Sequence, residues 1–429
     1  MRNHARTHHD APLPFPEGFL WGSGTSAHQV EGENRLSDWW AFEEQGRVAR
    51  GERSGRACEH YRRYAEDFAL AEELGHTAYK LSIEWARVEP EPGRFDADVL
   101  EHYAVVLREL RSRGIEPFVT LHHFTNPRWL TRAGGWLDPD APGLFTRYAG
   151  VVADRLGGLV HRWITINEPM LLALYGYGKA FWPPERKGWR SGYRAARGLA
   201  RAHRGAYAAI VERLPAARVG VAVNAAPLVL SDRPELSERV LSRPFDWLAN
   251  HYFLDAVRGS MDFIGLQYYS RATVRQLLFA DVHARPFFRS RLARSDLGWE
   301  IYPRGLYDAV MRVWRRHGLP VYVTENGVAD AGDSLRTAFV HDHLWWLRKA
   351  IEDGAQVRGY LHWALLDNFE WLEGFAPRFG LVEVDYTTQE RRIRPSARYY
   401  AQVCRTNALQ PVPAAVAAML EPVPLRAAE

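Results

Sequence analysis

Eight short runs of apolar, β-branched and aromatic residues punctuate the chain: FLWGSGTSA (19–27), AYKLSIEW (78–85), EPFVTLHH (116–123), RWITINEP (162–169), RVGVAVNA (218–225), FIGLQYYS (263–270), PVYVTENG (320–327) and VRGYLHWALLD (357–367). Each reads as a buried strand closed by a turn. The segments between them carry a helical period. HYRRYAEDFALAEELG (60–75) places Tyr61, Tyr64, Phe68, Ala71 and Leu74 on one stripe with charges opposite, and Gly75 stops it. DVLEHYAVVLRELRSRG (98–114) and SLRTAFVHDHLWWLRKAIEDG (334–354) behave alike. Strands alternating with helices predict an α/β chain with a parallel sheet. Eight such units predict a single (β/α)8 TIM barrel, whose chemistry lies at the C-terminal ends of its strands. The barrel is expected over 15–408, with a flexible tail at 1–14 and a Pro/Ala-rich tail at 409–429.

The strand ends are where polar residues collect. The fourth run ends in Asn167-Glu168-Pro169 and the seventh in Glu325-Asn326-Gly327. The third ends in His122-His123, the sixth in Tyr268-Tyr269, and the eighth carries Trp363. A lone His or Tyr there seals a strand end as readily as it binds a ligand. Two glutamates, each closing an apolar run, are costly to bury without a partner or a use. Aimed into one barrel, such a pair can flank a glycosidic bond, one as acid and the other as nucleophile or base. The chain also has 16 Trp, 19 Tyr and 19 Phe. Several stand beside polar side chains: Trp21, His28-Gln29, Phe181-Trp182, Trp299-Glu300, Trp363 and NFEW at 368–371. Sugar rings stack on aromatic faces and their hydroxyls take Gln, Asn and Glu bonds, so the mixture suits carbohydrate.

At this point the motifs FLWGSGTSAHQVEG, TINEP, YVTENG, GWEIYPRGL and LLDNFEWLEGFAPRFGLVEVDY, in that order, resemble family one of the glycoside hydrolases, the β-glucosidase and β-galactosidase family. The resemblance covers about residues 15 to 405. It implies that Glu168 is the acid/base and Glu325 the nucleophile of a retaining β-glycosidase. It implies that Tyr269 hydrogen-bonds the nucleophile and that Asn167 binds the sugar 2-hydroxyl. Gln29, His123, Glu370 and Trp371 match further sugar-hydroxyl ligands, Trp363 the platform under the ring, and Trp299 an aromatic on the leaving-group side. Three positions depart from the pattern: Lys80 stands where the family has Arg, Gln267 where it has Asn, and Phe124 where it often has Trp. Family members that take 6-phosphosugars carry a small hydroxyl residue in place of Glu370 and a Lys and a Tyr a few residues on; here GFAPRFG (374–380) brings Pro377 and Phe379 instead. A neutral small-molecule β-glycoside or oligosaccharide is therefore the expected substrate. A charged Glu370 would take its hydroxyls, unless that side chain merely pairs with Arg378. The alternatives are a 6-phospho-β-glycosidase, a transglycosylase, and a non-catalytic sugar-binding barrel, which would need neither carboxylate.

Composition adds exclusions. Lys plus Arg is 55 and Asp plus Glu is 51, a net +4. The densest basic runs, RKGWR (186–190) and ERRIR (390–394), read as solvated faces, so no nucleic-acid partner is expected. No stretch approaches the ~18 apolar residues of a membrane span, and the N-terminus has no apolar signal core. Two cysteines, Cys58 and Cys404, make no disulfide framework and read as free thiols in a reducing compartment, hence a cytoplasmic protein. His4, His8 and His9 read as part of a polar tail. No His/carboxylate spacing matches a metal motif, and the reaction needs no ion or cofactor. The oligomeric state is left open.

Overall fold

The computed structural model describes residues 11–230, 236–273 and 292–412. Eight parallel strands close into a barrel: β1 (Leu20–Gly24), β2 (Ala78–Ser82), β3 (Glu116–His122), β4 (Arg162–Asn167), β5 (Arg218–Asn224), β6 (Phe263–Gln267), β7 (Val321–Asn326) and β8 (Val357–Trp363). Each lies within one of the eight runs expected from the sequence. Closure runs through β8 and β1, where Gly359 faces Leu20 and Trp363 faces Gly24. After the strands come the helices α1 (His60–Glu73), α2 (Ala97–Ser112), α3 (Ala141–Leu156), α4 (Trp189–Arg213), α5 (Leu236–Asn250), α6 (Arg304–His317), α7 (Arg336–Glu352) and α8 (Pro395–Thr406). Three of these, α1, α2 and α7, fall in the periodic segments named above. In α1 the stripe holds for Phe68, Ala71 and Leu74, which are fully buried. Asp67 is buried as well, because Arg391 and His60 both reach its carboxylate, at 2.9 and 2.7 Å.

The barrel interior changes character along its axis. One layer is a dry plug of Ala78, Phe118, Ile164, Ala222, Phe263 and Leu361. Phe118, Phe263 and Tyr322 meet edge to face, with ring centroids 5.1 to 6.2 Å apart. Side chains on a strand return to the same face every second residue. Stepping two residues from Ala78, Ala222 and Leu361 reaches Lys80, Asn224 and Trp363, so the layer toward the C-terminal ends becomes polar and aromatic. Gly327, just past β7, is a steric requirement: a Cβ there would lie 1.8 Å from the Trp363 carbonyl oxygen.

Leu13–Pro14 pairs antiparallel with Ala408–Leu409, Leu13 facing Leu409. This ribbon's second strand spans the expected 408/409 boundary, and its first lies inside the segment 1–14 expected to be a tail. Cys58 and Cys404 are free and buried, and burial pushes both thiols up. No helix among the described residues is long and apolar enough to cross a membrane, and no cluster of three or more His, Cys, Asp or Glu among them could hold a metal ion. His4, His8, His9 and residues 413–429 lie outside the described residues.

Candidate active site

Glu325 leaves the end of β7 with its side chain only 5% exposed and each carboxylate oxygen engaged. Lys80 Nζ, from β2, donates to Oε1 in a short contact, and the Tyr269 hydroxyl donates to Oε2 at 2.6 Å. The Lys80 side chain is fully buried, and a buried ammonium is tolerated only with good partners. It has two: Glu325, and Asn167 Oδ1 at 2.7 Å. Its Nζ also stands 5.5 Å above the Trp363 ring. Asn167 Oδ1 accepts a second bond from Gln267 Nε2 at 2.8 Å. Two donors on one oxygen fix the orientation of the amide, so Asn167 Nδ2 faces His123 Nε2, 3.4 Å away.

Glu168 follows β4 in a left-handed conformation (φ 41, ψ 58), with its N–H bonded to the Ala222 carbonyl of β5 at 2.8 Å. That turn ends the strand and swings the carboxyl toward β5. There Asn224 Nδ2 donates to Oε1 at 3.0 Å. Unlike Glu325, Glu168 has no cation bonded to it among the described residues. Burial and the nearby charge of Glu325 push its carboxyl up to about 8, while the Asn224 bond and Lys80 pull the other way. It is therefore protonated at neutral pH, as a general acid must be.

Around this pair lies an aromatic shell. His123 lies near parallel to Trp363 and Trp371, with centroids 5.9 and 6.0 Å away. Burial and Lys80 hold the His123 imidazole well below its usual range, so it is neutral. Phe124 packs on Trp371 and Trp182 at 5.2 and 4.7 Å, hydrocarbon contacts that need no ring N–H. Trp299 and Phe379 pack on Tyr269 at 5.8 and 6.1 Å. Gln29 Nε2 bonds the Phe369 carbonyl at 2.9 Å and Asn368 Oδ1 at 3.0 Å, and stands 3.4 Å from Glu370 Oε2. Glu370 does not pair with Arg378, which turns to Asp367 and the Val384 carbonyl. Burial, with the charges of Glu325 and Glu373, pushes the Glu370 carboxyl up to about 8. Where the sequence led to a charged Glu370, its surroundings thus favour the neutral acid.

All fourteen residues singled out above are linked here by hydrogen bonds, ring contacts or electrostatics. Other residues named from the sequence have structural partners instead. Trp21, grouped with the sugar-facing aromatics, sits against Phe15, Phe19 and Tyr400 and donates to Asn407 Oδ1 at 2.8 Å, away from the carboxylates. His122 bonds Asn126 and Tyr268 bonds the Tyr302 carbonyl. Glu300 is taken by Arg271 and Arg294. One residue was missed: Asn224 is the last residue of β5, next to last in RVGVAVNA, and that polar strand end was the available signal.

Comparison with known proteins agrees with this geometry. The family model "Glycosyl hydrolase family 1" matches residues 11–259 and 254–409. The "Beta-glucosidase A" of Thermotoga maritima is 34% identical over 92% of this chain and 99% of its own. The "Beta-galactosidase" of Sulfolobus acidocaldarius is 30% identical over 92% and 96%. Among solved structures, the beta-glycosidase from Pyrococcus horikoshii superposes with a TM-score of 0.84 at 39% identity, covering 93% of this chain and 97% of that one. The Thermotoga maritima beta-glucosidase in complex with deoxynojirimycin gives 0.82 at 31% identity, covering 93% and 100%. With a barrel of this kind and a match along nearly its whole described length, the chain belongs to glycosyl hydrolase family 1 and is an O-glycosyl hydrolase of that retaining family.

Proposed function

We propose that this enzyme removes a terminal, unphosphorylated β-linked glucose or galactose, with Glu325 as nucleophile and Glu168 as acid/base. The observation that carries the reading is the contrast between two buried glutamates. Glu325 accepts from an ammonium and a phenol, while Glu168 is pushed up to about 8 with only an amide donor. Glu325 attacks the anomeric carbon as Glu168 gives its proton to the leaving oxygen. The resulting glycosyl ester is cleaved when Glu168, now a base, takes a proton from water, so the anomeric configuration is retained. As each step proceeds, Glu325 loses and regains its charge, and Lys80 and Tyr269 hold the carboxylate in place through both.

Asn167 Nδ2, fixed by two donors on its oxygen, is placed to serve the 2-hydroxyl. Trp363 offers a face to the apolar side of the ring, and Gln29, His123 and Glu370 offer polar atoms to the remaining hydroxyls. The relatives named β-glucosidase and β-galactosidase support both glycones, which differ only in the direction of one hydroxyl. A phosphate at position 6 is disfavoured because Arg378, the cation within 374–380, is committed to Asp367. The test is a panel of aryl β-glycosides, with an aryl β-glucoside and its 6-phosphate compared directly by kcat/KM. The glucoside and galactoside are expected to lead. Faster turnover of the phosphorylated sugar would overturn the glycone assignment.

A further inference from the structure

We infer that Gln267 and Lys80 act as one unit: Gln267 is a positioning residue that completes, through Asn167, what a lysine alone cannot do beside the nucleophile. This rests on the assignment of Glu325 and Asn167 proposed above. By the resemblance drawn from the sequence both residues depart from the family's usual pattern, and in the structure they meet at one atom. Asn167 Oδ1 accepts from Lys80 Nζ at 2.7 Å and from Gln267 Nε2 at 2.8 Å. The three side chains come from β2, β4 and β6, the alternate strands that share a layer of a TIM-barrel interior. All three residues are fully buried.

The chemistry explains why the two departures belong together. A guanidinium presents five N–H donors in a rigid planar fork, so a single Arg can hold a carboxylate and a neighbouring carbonyl in fixed geometry. An ammonium is a point charge on a flexible stem and sets no plane. Lys80 bridges Glu325 and Asn167 but leaves the Asn167 amide free to tilt about that one contact. Gln267, one methylene longer than Asn, reaches far enough to place a second donor on the same oxygen. With two donors converging there, a flipped Asn167 would point its NH2 group at both of them, leaving buried donors unpaired. The amide therefore keeps Nδ2 toward the sugar pocket. The fork is divided between two side chains, and the 2-hydroxyl ligand is held by the pair.

The experiment compares Gln267→Asn, Lys80→Arg and the double variant on an aryl β-glucoside and on its 2-deoxy analogue. Gln267→Asn is expected to lower kcat/KM on the glucoside by about tenfold, with less than about threefold lost on the 2-deoxy sugar, which has no group for Asn167 to bind. Lys80→Arg alone crowds the long Gln267 amide and loses activity. In the double variant the shorter amide makes room for the fork, and kcat/KM returns to within about threefold of the parent. Equal losses on the two sugars would show Gln267 to be structural only, and single effects that simply add in the double variant would show the residues to be independent; either result overturns the inference. The assignment of Glu325 is tested apart from it, by chemical rescue of Glu325→Gly.

Discussion

The ends of β7 and β4 offer nearly the same thing, a glutamate 4–5% exposed at the mouth of one barrel, yet they are built oppositely. At β7 the carboxylate meets a lysine and a tyrosine hydroxyl, both of which need an acceptor. At β4 it meets burial, the charge of the other glutamate and a single amide. The difference teaches that surroundings and not residue type separate the two, since the proposed acid and the proposed nucleophile are the same side chain. It also shows economy of charge. Ionising both groups in one cavity would set like charges against each other, and Lys80 lies beside Glu325 while burial and that charge raise Glu168.

Removing either glutamate should break this contrast most strongly. Glu325→Gly is expected to cost on the order of 10⁵-fold or more in kcat for every substrate, the loss its proposed role as covalent nucleophile implies. Added azide should restore turnover and release the α-glycosyl azide. Glu168→Ala should spare the first step for aryl groups that leave without protonation, and its azide product should be the β-anomer. Product anomers are read by proton NMR, and the same anomer from both variants would mean the roles are misassigned.

A smaller loss should follow from thinning the support at β7. Tyr269→Phe removes one hydrogen bond to a charged carboxylate, about 1.5–3 kcal/mol, so kcat/KM should fall roughly 10- to 150-fold. The basic limb of the pH profile, which belongs to β4, should stay where it is. A shift of that limb would show that Tyr269 also sets the charge that Glu325 presents to Glu168.

That limb is itself a prediction. In its proposed role Glu168 serves as an acid only while protonated, so kcat/KM should decline as pH rises through about 8. Asn224→Ala removes the amide that favours the ionised form and should move the limb to higher pH, with only about a two- to fivefold change at neutral pH. Movement to lower pH would be incompatible with Asn224 as a donor to the carboxylate.

The mildest effect is on stability. The folded protein holds the Glu168 proton more tightly than the unfolded chain does. Its contribution is therefore fully present below the ordinary glutamate range and is lost as pH rises through about 8. Glu168→Gln should match the parent in Tm near pH 5 and exceed it by about 1–3 °C near pH 9, measured by calorimetry. Equal Tm differences at both pH values would mean that Glu168 carries no folded-state proton.

The strands were legible because each is a compact apolar run ended by a turn, and burial on both faces leaves little room for other patterns. Glu168, Glu325 and Asn167 were legible because a polar residue closing such a run is costly to bury. The roles given to Gln29 and Trp371 came from motif likeness alone, since nothing in their own neighbourhoods marks them. Trp21 misled because adjacency in sequence says nothing about which end of a barrel an aromatic occupies.

What the sequence determined by itself was therefore the alternation of elements, the closed parallel barrel, and the strand ends that carry the carboxylates, because periodicity and burial cost are local properties. Only the tertiary structure decided which neighbour each carboxylate has. Lys80 lies 245 residues from Glu325 in sequence, and Asn224 lies 56 from Glu168. The proton on Glu370 was decided there too, since burial and the charge of Glu325 raise it and Arg378 turns away. Protonation depends on the solvent and charge that the folded chain gathers around a group, and strand closure sets that surrounding at distances the linear order does not encode.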